Sequence, residues 1–287
     1  VVGAALASVP LLLVGEEAAV GRTAWATSFV AVLWATEALP IAATSLFPIV
    51  LFPVLGVVSA ERISRNYFQD KIVLFFGGLV VAGALEAVHL QKRIALRVLM
   101  LFGSEPMQLL LGFMCATAFL SMWMSNTATA AMMMPIAEAV LQQLSTVPEH
   151  AASMCGMSHE QRFAQLGKAL VLSIAYAANI GGLATLTGTG PNLVLAGDVA
   201  ALYPDGPGIG FAGWFLFGLP LALVLLLCAW AVLCLSLLRH SAGLYQPALV
   251  AAQLRSEYAA LGRIGWGEGC VLVDFCALAL LWVTRDP

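Results

Sequence analysis

The chain has 287 residues, of which 61% are hydrophobic and 10% charged, and its formal net charge is −3. Soluble domains carry about 25% charged residues, so this composition excludes a water-soluble globular fold and leaves an all-α polytopic membrane protein. With no basic tract, nucleic-acid binding has no electrostatic footing.

A bilayer-spanning helix needs about 20 mostly apolar residues. Residues 1–14 read as a partial span, set off from the next by Glu16, Glu17 and Arg22. A second span is expected over 23–39, ended or kinked by Pro40, and a third stretch over 41–58, punctuated by Pro48 and Pro53. The segment 59–71 carries Glu61, Arg62, Arg65, Asp70 and Lys71 and belongs at an interface, before apolar residues 72–88. Within the latter, Gly77-Gly78 permits close helix packing. In His89–Met100 the cations fall at Lys92, Arg93 and Arg97 and apolar positions recur at helical spacing, which predicts an amphipathic interfacial helix. Lys92 is a candidate to approach a substrate; the alternative is a solvated or lipid-facing cation. Glu37, before Pro40, reads equally as a helix-end acid or a functional one.

Further along, apolar arms at 107–124 and 128–144 flank Ser125-Asn126-Thr127. A polar loop follows over 145–168. Apolar segments at 169–187 and 191–202 then flank Gly188-Thr189-Gly190-Pro191-Asn192, so one half-helix is expected to end near Thr187 and another to start at Pro191. Trp214–Leu238 is an unbroken span, 239–267 an aqueous loop with helical stretches, and Gly269–Val283 the beginning of another span. The six cysteines, Cys115, Cys155, Cys228, Cys234, Cys270 and Cys276, show no CxxC spacing and read as free thiols. His89, His150, His159 and His240 are dispersed and suggest no metal site. The chain starts at Val1 and stops just past an apolar run, which reads as a fragment of a longer protein with no cleavable signal peptide.

The two polar interruptions carry the chemistry. Polar groups at membrane depth are costly unless buried in protein or lining a cavity. If the chain turns at Ser125-Asn126-Thr127, the arms form a re-entrant hairpin and the triplet caps a helix N-terminus, which favours anions. The alternative is one full transmembrane helix whose Ser and Thr bond their own backbone. In the second break, Pro191 suits the first position of a helix and the glycines permit an unwound backbone. Its free carbonyls offer a site for a small cation such as Na⁺; the alternative is a kink without a ligand. Two such breaks point to a transporter site built from broken helices.

Several segments resemble the divalent anion:sodium symporter family, in its animal branch of sodium-coupled carboxylate and sulfate cotransporters. They are Thr36-Glu37-Ala38-Leu39-Pro40, Lys92–Arg97, Phe119–Thr129, Ile180-Gly181-Gly182 through Asn192, and Thr284-Arg285-Asp286-Pro287. Gly188–Asn192 looks most like the citrate transporters of that branch. The resemblance implies two inverted repeats, a scaffold and a transport domain, homodimers in the plasma membrane, and an elevator mechanism. It implies substrate contacts from Ser125, Asn126, Thr127 and Gly190. It implies sodium contacts from Ser121, Ser125, Asn126, Gly188, Thr189 and Gly190. One departure stands out: the chain holds a single Ser-Asn-Thr, so the second repeat beyond Pro287 is not part of it.

The expected architecture is therefore the first inverted repeat of an elevator-type transporter, with a re-entrant hairpin and a broken helix, plus the start of the second repeat. Its parts are scaffold helices (1–71), a transmembrane segment with the interfacial helix (72–106), the hairpin (107–144), the polar loop (145–168), the broken helix (169–205), a span (206–238), an aqueous loop (239–267) and a truncated span (268–287). The expected function is sodium-coupled symport of citrate and succinate, with Na⁺ as coupling ion, no other cofactor, and lipid and a second copy as partners. Sodium–sulfate cotransport is the rival in the same fold. From other classes, a non-transporting fragment with a structural or regulatory role is the main rival. A membrane-embedded enzyme lacks paired acids, HExxH or a Cys/His set in the apolar segments. On the fragment reading, residues 1–287 alone do not transport.

Overall fold

The computed structural model describes residues 18–68, 70–103, 105–145, 159–238 and 247–284, and every regular element among them is helical. The partial span at 1–14, residues 146–158 with His150 and Cys155, His240, and the closing Arg285-Asp286-Pro287 lie outside the described residues. The chain divides into two compact units, Val1–Val73 and Leu74–Pro287.

In the first unit, helix α1 (Ala18–Thr36) stops short of Pro40 because Glu37 takes φ 47°, in the left-handed region where a helix cannot continue. A short turn α2 (Ile41–Thr44) leads to α3 (Phe47–Val54), which accepts Pro48 in its first turn and ends before Gly56 at φ +66°. Trp25 stacks on Phe29 at 5.4 Å, and Phe29 meets Phe47 edge-on at 6.2 Å, joining α1 to α3. Ser59 caps α4 (Ala60–Tyr67) by accepting the Arg62 N–H at 3.3 Å. The Tyr67 hydroxyl donates to the Ser45 carbonyl at 2.6 Å and ties α4 back to α2.

Most of α5 (Asp70–Ala87) belongs to the second unit. After His89 at φ 55° comes α6 (Leu90–Leu101), which buries Leu90, Ala95, Leu96 and Leu99. The core is built round α7 (Pro106–Ser121), with Leu110, Phe113 and Met114 wholly buried. Against α7 pack α6, α8 (Asn126–Ser145) and α9 (His159–Leu183). Gly181 sets the closest approach: a β-carbon there would lie 2.2 Å from the Ala118 carbonyl oxygen of α7. Beyond α9 are α10 (Gly190–Leu202), α11 (Phe211–Leu233, prolonged by a π-turn over Cys234–Leu238), α12 (Pro247–Ala260) and α13 (Trp266–Thr284).

Lengths sort these helices. Phe163–Leu183, Phe211–Leu238 and Trp266–Thr284 are each long and apolar enough to cross a bilayer. By contrast, α7 has 16 residues and α10 has 13, about 24 and 20 Å at 1.5 Å per residue, short of a hydrocarbon core of about 30 Å. Many large apolar side chains on α5, α11 and α13 face outward, among them Phe76, Leu216, Phe217 and Leu281. The expected packing at Gly77-Gly78 falls on Gly78, whose β-carbon position lies 3.4 Å from the Trp282 ring.

One loop expectation needs correction. The 145–168 loop is helical from His159, with Leu166 buried, because the first turns of α9 already pack on the core. The 239–267 segment contains α12, whose Val250 and Leu254 are buried beside α6 and α8. This is the helical stretch expected there, and its Glu257 pairs with Lys92 of α6 at 3.0 Å. Cys115, Cys228, Cys234, Cys270 and Cys276 are free thiols, as expected.

Candidate functional site

Between α7 and α8 the chain turns through Met122–Ser125. The two helices pack on each other, so the polar triplet forms the tip of a helical hairpin rather than the middle of one span. The Ser125 hydroxyl accepts the Ala128 N–H at 3.2 Å and its carbonyl accepts the Thr129 N–H at 3.0 Å, which makes it the N-cap of α8. Asn126 is therefore the first helical residue. Ser125 and Thr127 are exposed.

The second break is longer than expected and starts earlier. α9 ends at Leu183 instead of near Thr187, and α10 opens at Gly190, with Pro191 in its first turn. The unwound residues 184–189 are held by side chains. The Asn192 amide donates to the carbonyls of Gly182 and Thr185, both at 2.9 Å, and is itself buried. The Trp214 indole N–H donates to the Leu183 carbonyl at 3.0 Å. These donors satisfy carbonyls that a helix end leaves free. The Thr185 hydroxyl donates to the Met122 carbonyl at 2.5 Å and so fastens the unwound stretch to the hairpin tip.

Two features result. The first is a cleft of about 230 Å³ lined by Trp123, Ser125, Asn126 and Thr127 from the tip, Thr187, Gly188, Thr189 and Gly190 from the unwound stretch, and Phe75, Gly78 and Leu79 from α5. Among the described residues no charged side chain lines it. The N-termini of α8 and α10 both border it, and a helix N-terminus is worth roughly half a positive charge. At Gly190 a β-carbon would meet nothing within 4 Å. The Thr187 hydroxyl and the Trp123 indole N–H are buried without a hydrogen-bond partner, and such groups are costly unless a ligand or water satisfies them.

The second is a group of oxygens packed behind the tip. The Ser121 hydroxyl is 2.7 Å from both the Asn126 amide oxygen and the Ala178 carbonyl oxygen. One hydroxyl has one proton, so it can donate to only one of these acceptors. A β-carbon on Gly182 would sit 2.7 Å from that same Asn126 oxygen and 3.3 Å from the Gly188 carbonyl oxygen. At Gly188 it would sit 2.6 Å from the Gly182 carbonyl. An oxygen cluster with too few protons, in a cradle that only glycine leaves open, has the donor chemistry of a small hard cation.

The structure thus gathers Ser121, Asn126 and Gly188 around the oxygen cluster, and Ser125, Thr127, Thr189 and Gly190 along the cleft. It also brings in Ala178, which sequence reasoning did not name, and Gly182, Thr185 and Asn192, to which it gave no contact role. Lys92 is placed elsewhere: its ammonium pairs with Glu257 of α12 at 3.0 Å, and it does not line the cleft. Arg93, 4% exposed, makes a forked pair with Glu268 at 3.1 Å and donates to the carbonyls of Gly262 and Leu261. Arg97 donates to the Tyr258 hydroxyl at 3.0 Å. That bond, with Arg93 behind it, holds the phenol below its ordinary pKa. Among the described residues no group of three His, Cys, Asp or Glu is placed to hold a metal ion.

Residues 5–287 match the family described as the sodium:sulfate symporter transmembrane region. The chain is 40% identical to human solute carrier family 13 member 2, over 98% of this chain and 55% of that protein. It is 41% identical to the sodium-dependent high-affinity dicarboxylate transporter 3 of Caenorhabditis elegans, over 93% of this chain and 47% of that protein. It is 38% identical to the Na(+)/citrate cotransporter of Rattus norvegicus, over 93% of this chain and 53% of that protein. The chain spans about half the length of the curated relatives it matches.

Proposed function

The chain belongs to the sodium:sulfate symporter family, and we propose that it forms the first half of a sodium-coupled symporter for di- and tricarboxylates such as succinate and citrate. The observation that carries this reading is the pairing of an uncharged, hydroxyl-rich cleft with an adjoining cluster of surplus oxygen acceptors. The Asn126 side chain is shared between the two.

Charge balance supplies the coupling. A dicarboxylate brings two negative charges into a cleft whose described lining holds no Lys or Arg. Two helix N-termini offset about one of them. Burying the remainder uncompensated is prohibitive, so a cation must enter with the substrate. The oxygen cluster of Ser121, Asn126, Ala178 and Gly188 offers the place for it, a few ångströms behind the tip. Sodium binding would also lock the Asn126 amide and thereby order the tip for the substrate. The transport step is an elevator movement, for which the Thr185–Met122 bond and the Gly181–Ala118 crossing make tip and unwound stretch move as one body. The protein works as a homodimer in the plasma membrane, with the second repeat completing the anion cage.

The test uses the full-length protein in proteoliposomes. Asn126→Ala abolishes sodium-driven succinate and citrate uptake while surface expression is kept, and Gly190→Val weakens uptake because its side chain enters the open cleft. Citrate rather than sulfate competes with succinate. Uptake that persists undiminished in Asn126→Ala with unchanged sodium dependence refutes the site, and preferential competition by sulfate replaces carboxylate with sulfate as the substrate.

A further inference from the structure

Behind Asn126 stands an amide that the cleft does not include. The side-chain nitrogen of Asn126 donates to the Asn179 amide oxygen at 3.2 Å, and the Asn179 nitrogen donates to the Ala175 carbonyl of its own helix, α9, at 2.9 Å. A carbonyl oxygen can only accept. The Ala175 carbonyl therefore requires the nitrogen of Asn179 on its side, which turns the Asn179 oxygen toward Asn126. That oxygen in turn requires the Asn126 nitrogen, so the Asn126 oxygen must face the other way, toward the Ser121 hydroxyl and the close approach at Gly182. The orientation of an amide is ordinarily ambiguous by half a turn. Here a chain of donors and acceptors beginning at a backbone carbonyl removes the ambiguity.

We propose that Asn179 is the positioning residue that sets the sodium affinity of the site, by holding the Asn126 amide oxygen on the cation side and keeping its nitrogen away from the substrate. This rests on the reading of the oxygen cluster as the sodium site. Without Asn179 the amide is free to rotate. Turned over, its N–H₂ group points into the cluster, where it repels a cation and competes for the Ser121 hydroxyl. Sodium must then first select the correct rotamer, and the apparent affinity falls by the fraction of molecules that hold it. The turned form also lets Ser121 donate to the Ala178 carbonyl while accepting the Asn126 N–H, which favours it by about one neutral hydrogen bond, so the correct form falls to roughly a tenth to a third of the molecules and the apparent affinity drops about three- to tenfold. Substrate contacts from Ser125 and Thr127 are untouched. Asn179 itself is exposed, so its substitution removes these two hydrogen bonds without opening a buried cavity.

The experiment measures sodium activation of succinate uptake by the full-length protein, with surface amounts determined in parallel. Asn179→Leu, which removes the acceptor at similar size, raises the half-saturating sodium concentration about three- to tenfold. The succinate KM at saturating sodium changes by less than about twofold, because that concentration restores the correct rotamer. Asn179→Asp keeps an acceptor toward Asn126 and holds half-saturation at or below the wild-type value. Should Asn179→Leu be retained inside the cell, Asn179→Ala carries the same expectation. Unchanged sodium activation in the Leu or Ala variant overturns the proposal, as does an equal loss in sodium and succinate affinity. If Asn126→Ala in the same assay leaves sodium dependence intact, the cluster itself is not the sodium site. If Asn126→Ala abolishes it while Asn179→Leu does nothing, only the role of Asn179 fails.

Discussion

Arg93→Met is expected to unfold the clasp between α6 and the α12–α13 segment. The Arg93 guanidinium is 4% exposed and reaches the Glu268 carboxylate with both Nε and Nη2 and the carbonyls of Gly262 and Leu261 with Nη1 and Nη2. Removing it leaves Glu268, whose side chain is 14% exposed, with only the Gly265 N–H at 2.9 Å, and strands two carbonyls. Breaking a buried pair by deleting one partner costs about 3–5 kcal/mol, whereas replacing both partners by apolar groups is often neutral. At about 2–4 °C per kcal/mol for chains of this size, the single variant loses roughly 10 °C in Tm. The double variant Arg93→Met, Glu268→Met recovers most of it. The assay is thermal unfolding of detergent-solubilised protein followed by size-exclusion fluorescence, across all four corners of the double-mutant cycle. A single variant within about 2 °C of wild type, or a double variant whose loss is the sum of the two singles, refutes the reasoning.

Three further tests follow from the glycines and from the length of the chain. Gly181→Ala puts a methyl 2.2 Å from a backbone oxygen of α7, which must push the helices apart; the variant is expected to fail surface expression, and normal expression with normal uptake would contradict the described crossing. Gly182→Ala meets the Asn126 oxygen at 2.7 Å, so sodium half-saturation rises by at least about fivefold, on the loss of roughly 1 kcal/mol with the Ser121 bond, and an unchanged sodium curve counts against the cluster. Residues 1–287 reconstituted alone accumulate neither labelled citrate nor succinate under a sodium gradient, and accumulation there would show that this half completes its own site.

The membrane class, the two breaks and the family were legible in the sequence because each rests on local chemistry. Apolar runs have a length that either reaches across a bilayer or does not, and Ser, Asn and Thr after an apolar helix cap the next one, as Ser125 does for α8. Gly188 through Asn192 announced an interruption for the same reason: glycine tolerates unwound backbone and proline opens a helix. The tertiary structure decided what lies at a distance along the chain. Where α9 ends is set by Asn192 and Trp214, which take its terminal carbonyls from 10 and 31 residues away, so no local pattern could place the end at Leu183. That Lys92 is bound to Glu257, 165 residues on, is a matter of which helices pack, and so is the burial of Val250 and Leu254 on α12, in a segment expected as an aqueous loop with helical stretches. The orientation of the Asn126 amide depends on Asn179, 53 residues away on another helix. Periodicity registers which side chains are polar; only packing brings together an acceptor, a donor and the space between them.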